Sequence, residues 1–475
     1  MMKRLFLFIT LLIIVLFVAG CNGNHSDKIV VTIGMWPEPY LKEDVEMFNE
    51  WKRLFEEDHP EYEIKGAPYT YSVETFFPMA QSGTTPTVFQ TWFTEPQKLI
   101  ENGFVKDITD HLEELGWLDK MDPIMRDMLS KDGRVYGVPR DGYGLGLLIN
   151  LEIFAEVGLV EDWDGDGIYD IVDPEGNPCY PTTFEELAET AEYITKTMAE
   201  LGQDVAGLII LSSNNNGGWQ FTNIAWNFGA ELQYQKEDGQ WISHLDHPGA
   251  VAALEWIKEM KWERNALPAD ATLTYADWYN YIGTNRAAMA FVGNDAISLP
   301  IVNFGMDRNH LAFVPMPAGP EGHQFSLFGG TPYMFAAHAT DEQIRGALLF
   351  LEYMGRSPET SEIAVSSMRV GMRVADQKGM PILPTIKAWA NEDYLTLAEQ
   401  IEKEFVNVNM RNFSPFFDTL DELRKPEPPH YAQEMYEILD GAIQQVLTNP
   451  NANPKAILAS ANNTFQTQYL NKLNK

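Results

Sequence analysis

The chain has 475 residues, with 34 Lys+Arg against 68 Asp+Glu for a formal net charge of −34; it is 45% hydrophobic and 12% aromatic, with 12 Trp and 2 Cys. Charge of this sign repels phosphate backbones and excludes nucleic acid as a partner. The apolar content excludes global disorder, and two cysteines cannot build a disulfide framework. At about 100–200 residues per domain, the length allows two or three domains or one large bilobal unit.

Residues 1–20 combine basic Lys3 and Arg4, an apolar run from Leu5 to Ala19 and a small-residue end, which is the pattern of a secretory signal peptide. The run is too short to span a bilayer comfortably. Val18-Ala19-Gly20-Cys21 resembles a bacterial lipobox, with Val in the place usually held by Leu. Cys21 is then the first mature residue, modified by acyl chains of the palmitate type, and residues 21–27 form a polar tether. The expected location is the extracellular face of the cell membrane, reached through lipidated Cys21. Removing residues 1–20 takes Lys3 and Arg4 away and leaves the mature chain at −36. Cys179 is expected to be an unpaired thiol.

Lys28–Trp36 reads as a buried strand and residues 43–58 as an amphipathic helix. Thr87–Trp92 reads as a further strand. Thr94 with Gln97 predicts a capped helix start, as Thr183 with Glu186 does farther on. Ala339–Arg356, Pro429–Thr448 and Pro454–Leu473 read as helices. Strands alternating with helices indicate α/β architecture with largely parallel sheets. Trp51, Trp256 and Trp262, at helical spacings, are assigned to the core, and Asp246 before Pro248 is read as a helix cap.

Asp162-Trp-Asp164-Gly-Asp166-Gly167-Ile168-Tyr-Asp170-Ile-Val-Asp173 places oxygen ligands as an EF-hand loop does, with Gly at the sharp turn. The expected ligands of a structural Ca²⁺ are Asp162, Asp164, Asp166, the Ile168 carbonyl, Asp170 and Asp173. Pro174 follows directly, so no exiting helix can start, and the motif is an isolated loop rather than a sensor hand. No organic cofactor is indicated. No G-x-S-x-G, H-E-x-x-H or P-loop occurs, and acid pairs are expected by chance in so acidic a chain, so no catalytic constellation is assigned.

Aromatic residues recur where polar loops follow strands: Trp36 and Tyr40 in Trp-Pro-Glu-Pro-Tyr, Trp92 beside Glu95, Tyr143 in Arg-Asp-Gly-Tyr-Gly, and Trp219 after Asn214-Asn-Asn-Gly-Gly. Such plates with polar neighbours match the apolar faces and hydroxyl rims of sugars.

Six segments follow one another in order along the chain: Gly133–Pro139 (GRVYGVP), Leu145–Asn150 (LGLLIN), Pro181–Leu187 (PTTFEEL), Gly283–Phe291 (GTNRAAMAF), Pro315–Gly322 (PMPAGPEG) and Gly329-Gly330. Taken together they resemble extracellular solute-binding proteins of sugar-importing ABC transporters, the class that includes maltodextrin-binding proteins. The resemblance implies a two-lobed α/β fold of the periplasmic-binding-protein type II kind, closing over a cleft by hinge bending. Lobe one is expected over 28–141 plus 284–322, and lobe two over 142–283 plus 323–475, with residues 161–174 as a calcium-loop insertion. The cleft implied for this chain includes Trp36, Glu38, Tyr40, Trp92, Glu95, Arg140, Asp141, Tyr143, Trp219, Asn294, Asp295, Gly330 and Arg373. The implied activity is capture of an oligosaccharide by a monomeric, non-enzymatic protein and its delivery to the transmembrane subunits of an ABC permease. A polysaccharide-acting enzyme and a lobe presenting ligand to a sensor kinase are the competing readings.

Overall fold

A computed structural model describes residues 28–474; the signal peptide, the tether and Cys21 lie outside them. Short β-rich runs closed by Pro, Gly or polar loops form the first sheet. β1 (Ile29–Ile33) lies parallel to β2 (Tyr62–Gly66) and β3 (Val88–Gln90). Between β1 and β2 runs α1 (Lys42–Asp58), which buries Trp51 and Phe55 against the sheet.

Gly137–Asn150 forms one long strand, β4, whose two halves belong to different sheets. α2 (Phe184–Glu200) starts at the expected capping box: Thr183 accepts from Glu186 N, and the Glu186 carboxylate accepts from Thr183 N. β5 (Ala206–Ile209), α3 (Asn216–Asn227), α4 (Pro248–Trp262), β6 (Ala287–Gly293) and β7 (Leu311–Pro315) follow. β8 (Ser326–Phe335) is the second long strand, followed by α5 (Asp341–Tyr353), β9 (Arg424–Pro426) and α6 (Ala432–Thr448).

The strand order is β2–β1–β3–β8–β4–β6–β5, with β7 on β4 and β9 on β8. The first half of β4 pairs antiparallel with β8, and the second half with both β6 and β7. Leu145, Leu147 and Ile149 point into one core with Phe184, Phe291 and Leu439, whereas Leu148 points into another with Trp278, Phe313 and Phe416. The second sheet is thus covered on both faces, which is why this half of β4 reads as a continuous apolar run. A separate core joins Val31, Phe55, Phe89, Val138, Tyr333 and Phe350.

These cores correct the expected lobe boundaries. Residues 284–322 belong to the second lobe: β6 is buried throughout and paired on both sides, with β4 and with β5. The chain returns to the first lobe through β8, and α5 together with Ala388 and Trp389 packs on the first core. It leaves again before Phe413 and Phe416, which pack on the second lobe. Helix ends were corrected locally too. His247, not Asp246, caps α4 by accepting from Gly249 N, and Trp262 is 38% exposed, its indole donating to the Val446 carbonyl. At Pro96–Glu101 no side chain caps the helix, because Gln97 donates to the Met128 and Ser130 carbonyls.

Phe291→Ala, which opens a cavity at the centre of β6, is expected to cost about 3–5 kcal/mol. Hydrogen exchange should accelerate across α2 while β1 keeps its protection. Equal loss in both would contradict the revised boundary.

Candidate functional site

Where β4 and β8 cross between the two cores, they lie close enough to exclude side chains. A Cβ on Gly330 would sit 2.3 Å from the Asp141 carbonyl oxygen, and its φ of +151° lies in the range that favours glycine. The flanking residues are held outward into a cleft of about 710 Å³. Arg140 Nε lies 3.1 Å from the Asp141 carboxylate, and its Nη1 donates to the Thr331 hydroxyl, which in turn donates to Asp141. Asn294 accepts from Gly144 N at 2.9 Å, fixing the turn that carries Asp295. Burial, reinforced by the Asp141 charge, pushes the Asp295 carboxyl up to about 6.

The Asn-Asn-Asn-Gly-Gly run builds the opposite wall. Asn214 and Asn215 take φ of 57° and 69°, a left-handed region asparagine tolerates. A Cβ on Gly218 would lie 2.2 Å from the Tyr436 carbonyl oxygen, so α3 can seat against α6 only with glycine there. Asp440 accepts from Asn215 N and Gly218 N at 2.7 and 2.8 Å, capping α3 from another helix. This projects Trp219 into the cleft, where its indole donates to the Tyr143 hydroxyl at 3.0 Å. Tyr143 and Trp219 pack edge to face with centroids 5.8 Å apart, and Tyr275 lies 6.5 Å beyond. At the floor, Tyr436 donates to Glu427 at 3.0 Å, and burial pushes the Glu427 carboxyl up to about 8.

Of the expected site residues, Trp92, Arg140, Asp141, Tyr143, Trp219, Asn294, Asp295 and Gly330 line this one cleft. Five do not. Trp36 covers Gly66 and packs on Phe48 at 5.3 Å. Glu38 and Arg373 are exposed outside the cleft lining, as is Tyr40 at 77%. Glu95 is buried behind the wall, accepting from the Tyr71 hydroxyl at 2.6 Å, and Tyr71 in turn packs on Trp92. Sequence reasoning missed the irregular segment Met380–Ile386, together with Tyr275, Glu427, Gln433 and Tyr436. Glu427 could have been found: it sits in Lys-Pro-Glu-Pro-Pro, an acid between prolines like Glu38. Beside the cleft, Lys98 Nζ meets Glu434 at 2.5 Å, and Gln433 donates to Thr94 at 3.1 Å, joining the lobes.

In the acidic loop, Asp162 accepts from Gly165, Asp166 and Gly167 N, and Asp162, Asp164 and Asp166 present oxygens within 4.8 Å of one another. Arg411 lies against three of the loop carboxylates, 2.6 Å from Asp164, 3.1 Å from Asp166 and 3.2 Å from Asp170. The Asp170 oxygen that faces Arg411, Oδ1, is buried and makes no hydrogen bond, so the ion pair is its sole partner among the described residues. The Asp173 carboxylate instead accepts from Asn177 N and Nδ2 at 2.7 and 2.9 Å.

A family model described as bacterial extracellular solute-binding protein matches residues 50–370. The chain also resembles solved structures in fold: maltose-bound MalE3 of T. maritima (TM-score 0.65, 17% identity, 93% of this chain and 99% of that one); the ABC substrate-binding protein Lmo0181 of Listeria monocytogenes in complex with cycloalternan (0.67, 14%, 93% and 99%); and the maltose/maltodextrin-binding domain MalE of Bdellovibrio bacteriovorus bound to maltotriose (0.65, 18%, 93% and 99%). The sequence matches no curated protein.

Because the folded protein keeps the Glu427 proton where the unfolded chain releases it, this group's contribution to stability is full below about pH 4.5. It is lost as the pH rises towards 8. Glu427→Gln cannot ionise, so its stability relative to wild type should grow over that range, by at most about 1.4 kcal/mol per pH unit. Parallel urea midpoints for the two proteins would contradict the assignment.

Proposed function

The chain belongs to the bacterial extracellular solute-binding proteins, a family that binds solutes rather than transforming them, and from that premise we propose that it captures an oligosaccharide in the cleft and delivers it to the permease of an ABC importer. The observation that carries this reading is the convergence of Trp92, Tyr143, Trp219 and Tyr275 with Arg140, Asp141 and the Asn214–Asn216 run around one cavity. Aromatic faces stack on pyranose C–H surfaces, while carboxylates, amides and the guanidinium bond the hydroxyl rim. Ligand contacted by both lobes favours the closed arrangement over the open one, and the closed pair of lobes is the form a permease would recognise. Lipidation of Cys21 would hold the protein at the membrane beside that permease.

For the acidic loop we propose structural Ca²⁺ held by Asp162, Asp164, Asp166, the Ile168 carbonyl and Asp170. The donor set consists of hard oxygens, and the buried Asp170 oxygen, which makes no hydrogen bond and meets only the Arg411 cation, fits it. The ion would take the place of the Arg411 guanidinium. Asp173, engaged by Asn177, is left out of the ligand set.

Calorimetry against a panel of neutral oligosaccharides should show binding without product formation, and Trp219→Ala should weaken it about tenfold or more. Turnover, or unchanged affinity in the variant, would overturn the reading. A chelator should lower the melting temperature of the wild type but not of Asp164→Ala/Asp166→Ala. A persistent chelator effect in that variant would place the ion elsewhere.

A further inference from the structure

The cleft is unevenly charged. Its lining holds three carboxyl groups, Asp141, Asp295 and Glu427, against one basic side chain, Arg140. That guanidinium is already engaged by Asp141 and Thr331. Asp295 receives no side-chain hydrogen bond or ion pair among the described residues, yet it is open to the cleft. It is also fixed in place. The turn bearing it is pinned by Asn294 on Gly144 N, and a Cβ on Gly293 would meet Asp295 Oδ1 at 2.4 Å and the Tyr143 ring at 3.2 Å. The carboxylate and the aromatic ring therefore share the space above one glycine. Beyond Tyr143 stand Trp219 and Tyr275, with ring centroids 5.8 and 6.5 Å apart along the series. A wall of aromatic faces beside an unpaired carboxylate attracts a cation twice, through the ring quadrupoles and through direct charge. It repels anions for the same reasons, and no free basic group in the lining offsets that repulsion.

We propose that the Asp295–Tyr143–Trp219–Tyr275 corner is a cation subsite that takes the protonated amino group of an amino sugar within the bound saccharide. This rests on the carbohydrate reading above and narrows it: neutral residues of the ligand stack elsewhere in the cleft, and uronate-bearing or sulfated saccharides are rejected. Asp295 sets that preference, because no side chain among the described residues pairs with its carboxylate before such a ligand arrives, and Arg140 acts on it only from a distance while paired with Asp141.

The test is calorimetry with short glucosamine oligomers, the corresponding N-acetylglucosamine oligomers, maltooligosaccharides, oligogalacturonates and choline, at low and high salt. Glucosamine oligomers should bind about tenfold or more tightly than their N-acetylated counterparts, oligogalacturonates should not bind, and the preference should shrink with salt. Asp295→Asn, nearly isosteric and open to the cleft, should bring the glucosamine oligomers down to the affinity of their N-acetylated counterparts, with the melting temperature unchanged. Equal affinity for the free and acetylated amines, or a preference that survives in Asp295→Asn, overturns the amino-sugar proposal and leaves saccharide binding standing. Binding of choline with no saccharide bound at all overturns the carbohydrate reading itself, and the amino-sugar proposal with it.

Discussion

The antiparallel pairing of β4 with β8 is the constraint on which the rest of the molecule depends. β4 runs from the sheet it shares with β8 into the one it shares with β6 and β7, and β8 sets Leu327 in the second core and Phe328 in the first, so the two strands bind the lobes together at the base of the cleft. Their approach is close because Gly330 faces the Asp141 carbonyl and Gly142 faces the Phe328 ring. Between Thr331 and Pro332 the register shifts. An irregularity of this kind increases local twist and interrupts the ladder. On β8 it lies within the first-lobe stretch, between Phe328 and Tyr333 of the first core. Arg140, Asp141 and Tyr143 sit on the same ladder, so the hinge and the polar wall of the cleft are one structure.

Charge is managed differently on the surface and in the cleft. Arg53 and Arg134 each pair with two acids at exposed or half-exposed positions, where such pairs add little stability, and the more buried Arg264 reaches out to three exposed acids. Inside, carboxyl groups are held by neutral donors instead: Glu427 by Tyr436, Glu95 by Tyr71, and Asp440 by the backbone at the start of α3. Burial raises all three carboxyls above their ordinary range, for Glu95 against the opposing pull of the Lys98 charge.

What the sequence disclosed follows the range of the interaction concerned. Thr183 and Glu186 satisfy one another within a single turn, and their capping box is present as read. Thr94 and Gln97 have the same spacing, but Gln433 donates to the Thr94 hydroxyl and Gln97 reaches two distant carbonyls, partners that local spacing cannot reveal. Trp36 and Trp92 both follow strands. The first lies over Gly66 against Phe48, while the second stays 40% exposed at the cleft. The lobe boundary was misplaced because the pairing of β6 with β4 and β5 is a long-range fact. Met380–Ile386 has no periodicity to announce it.

The route of the chain also bears on how the molecule comes to be folded. The first core needs Val31 and Phe89 together with Tyr333 and Phe350, and the second needs Leu145 and Phe291 together with Leu439 and Phe465. Neither lobe can therefore be completed from a continuous stretch of early sequence. A chain emerging from its N-terminus must wait for β8 and α5 before the first lobe closes, and for α6 before the second does. Long loops have to be closed before their contacts reward it, which slows folding. For a protein that acts outside the cell, delayed closure has a use: the chain stays loose and threadable until nearly all of it has been made.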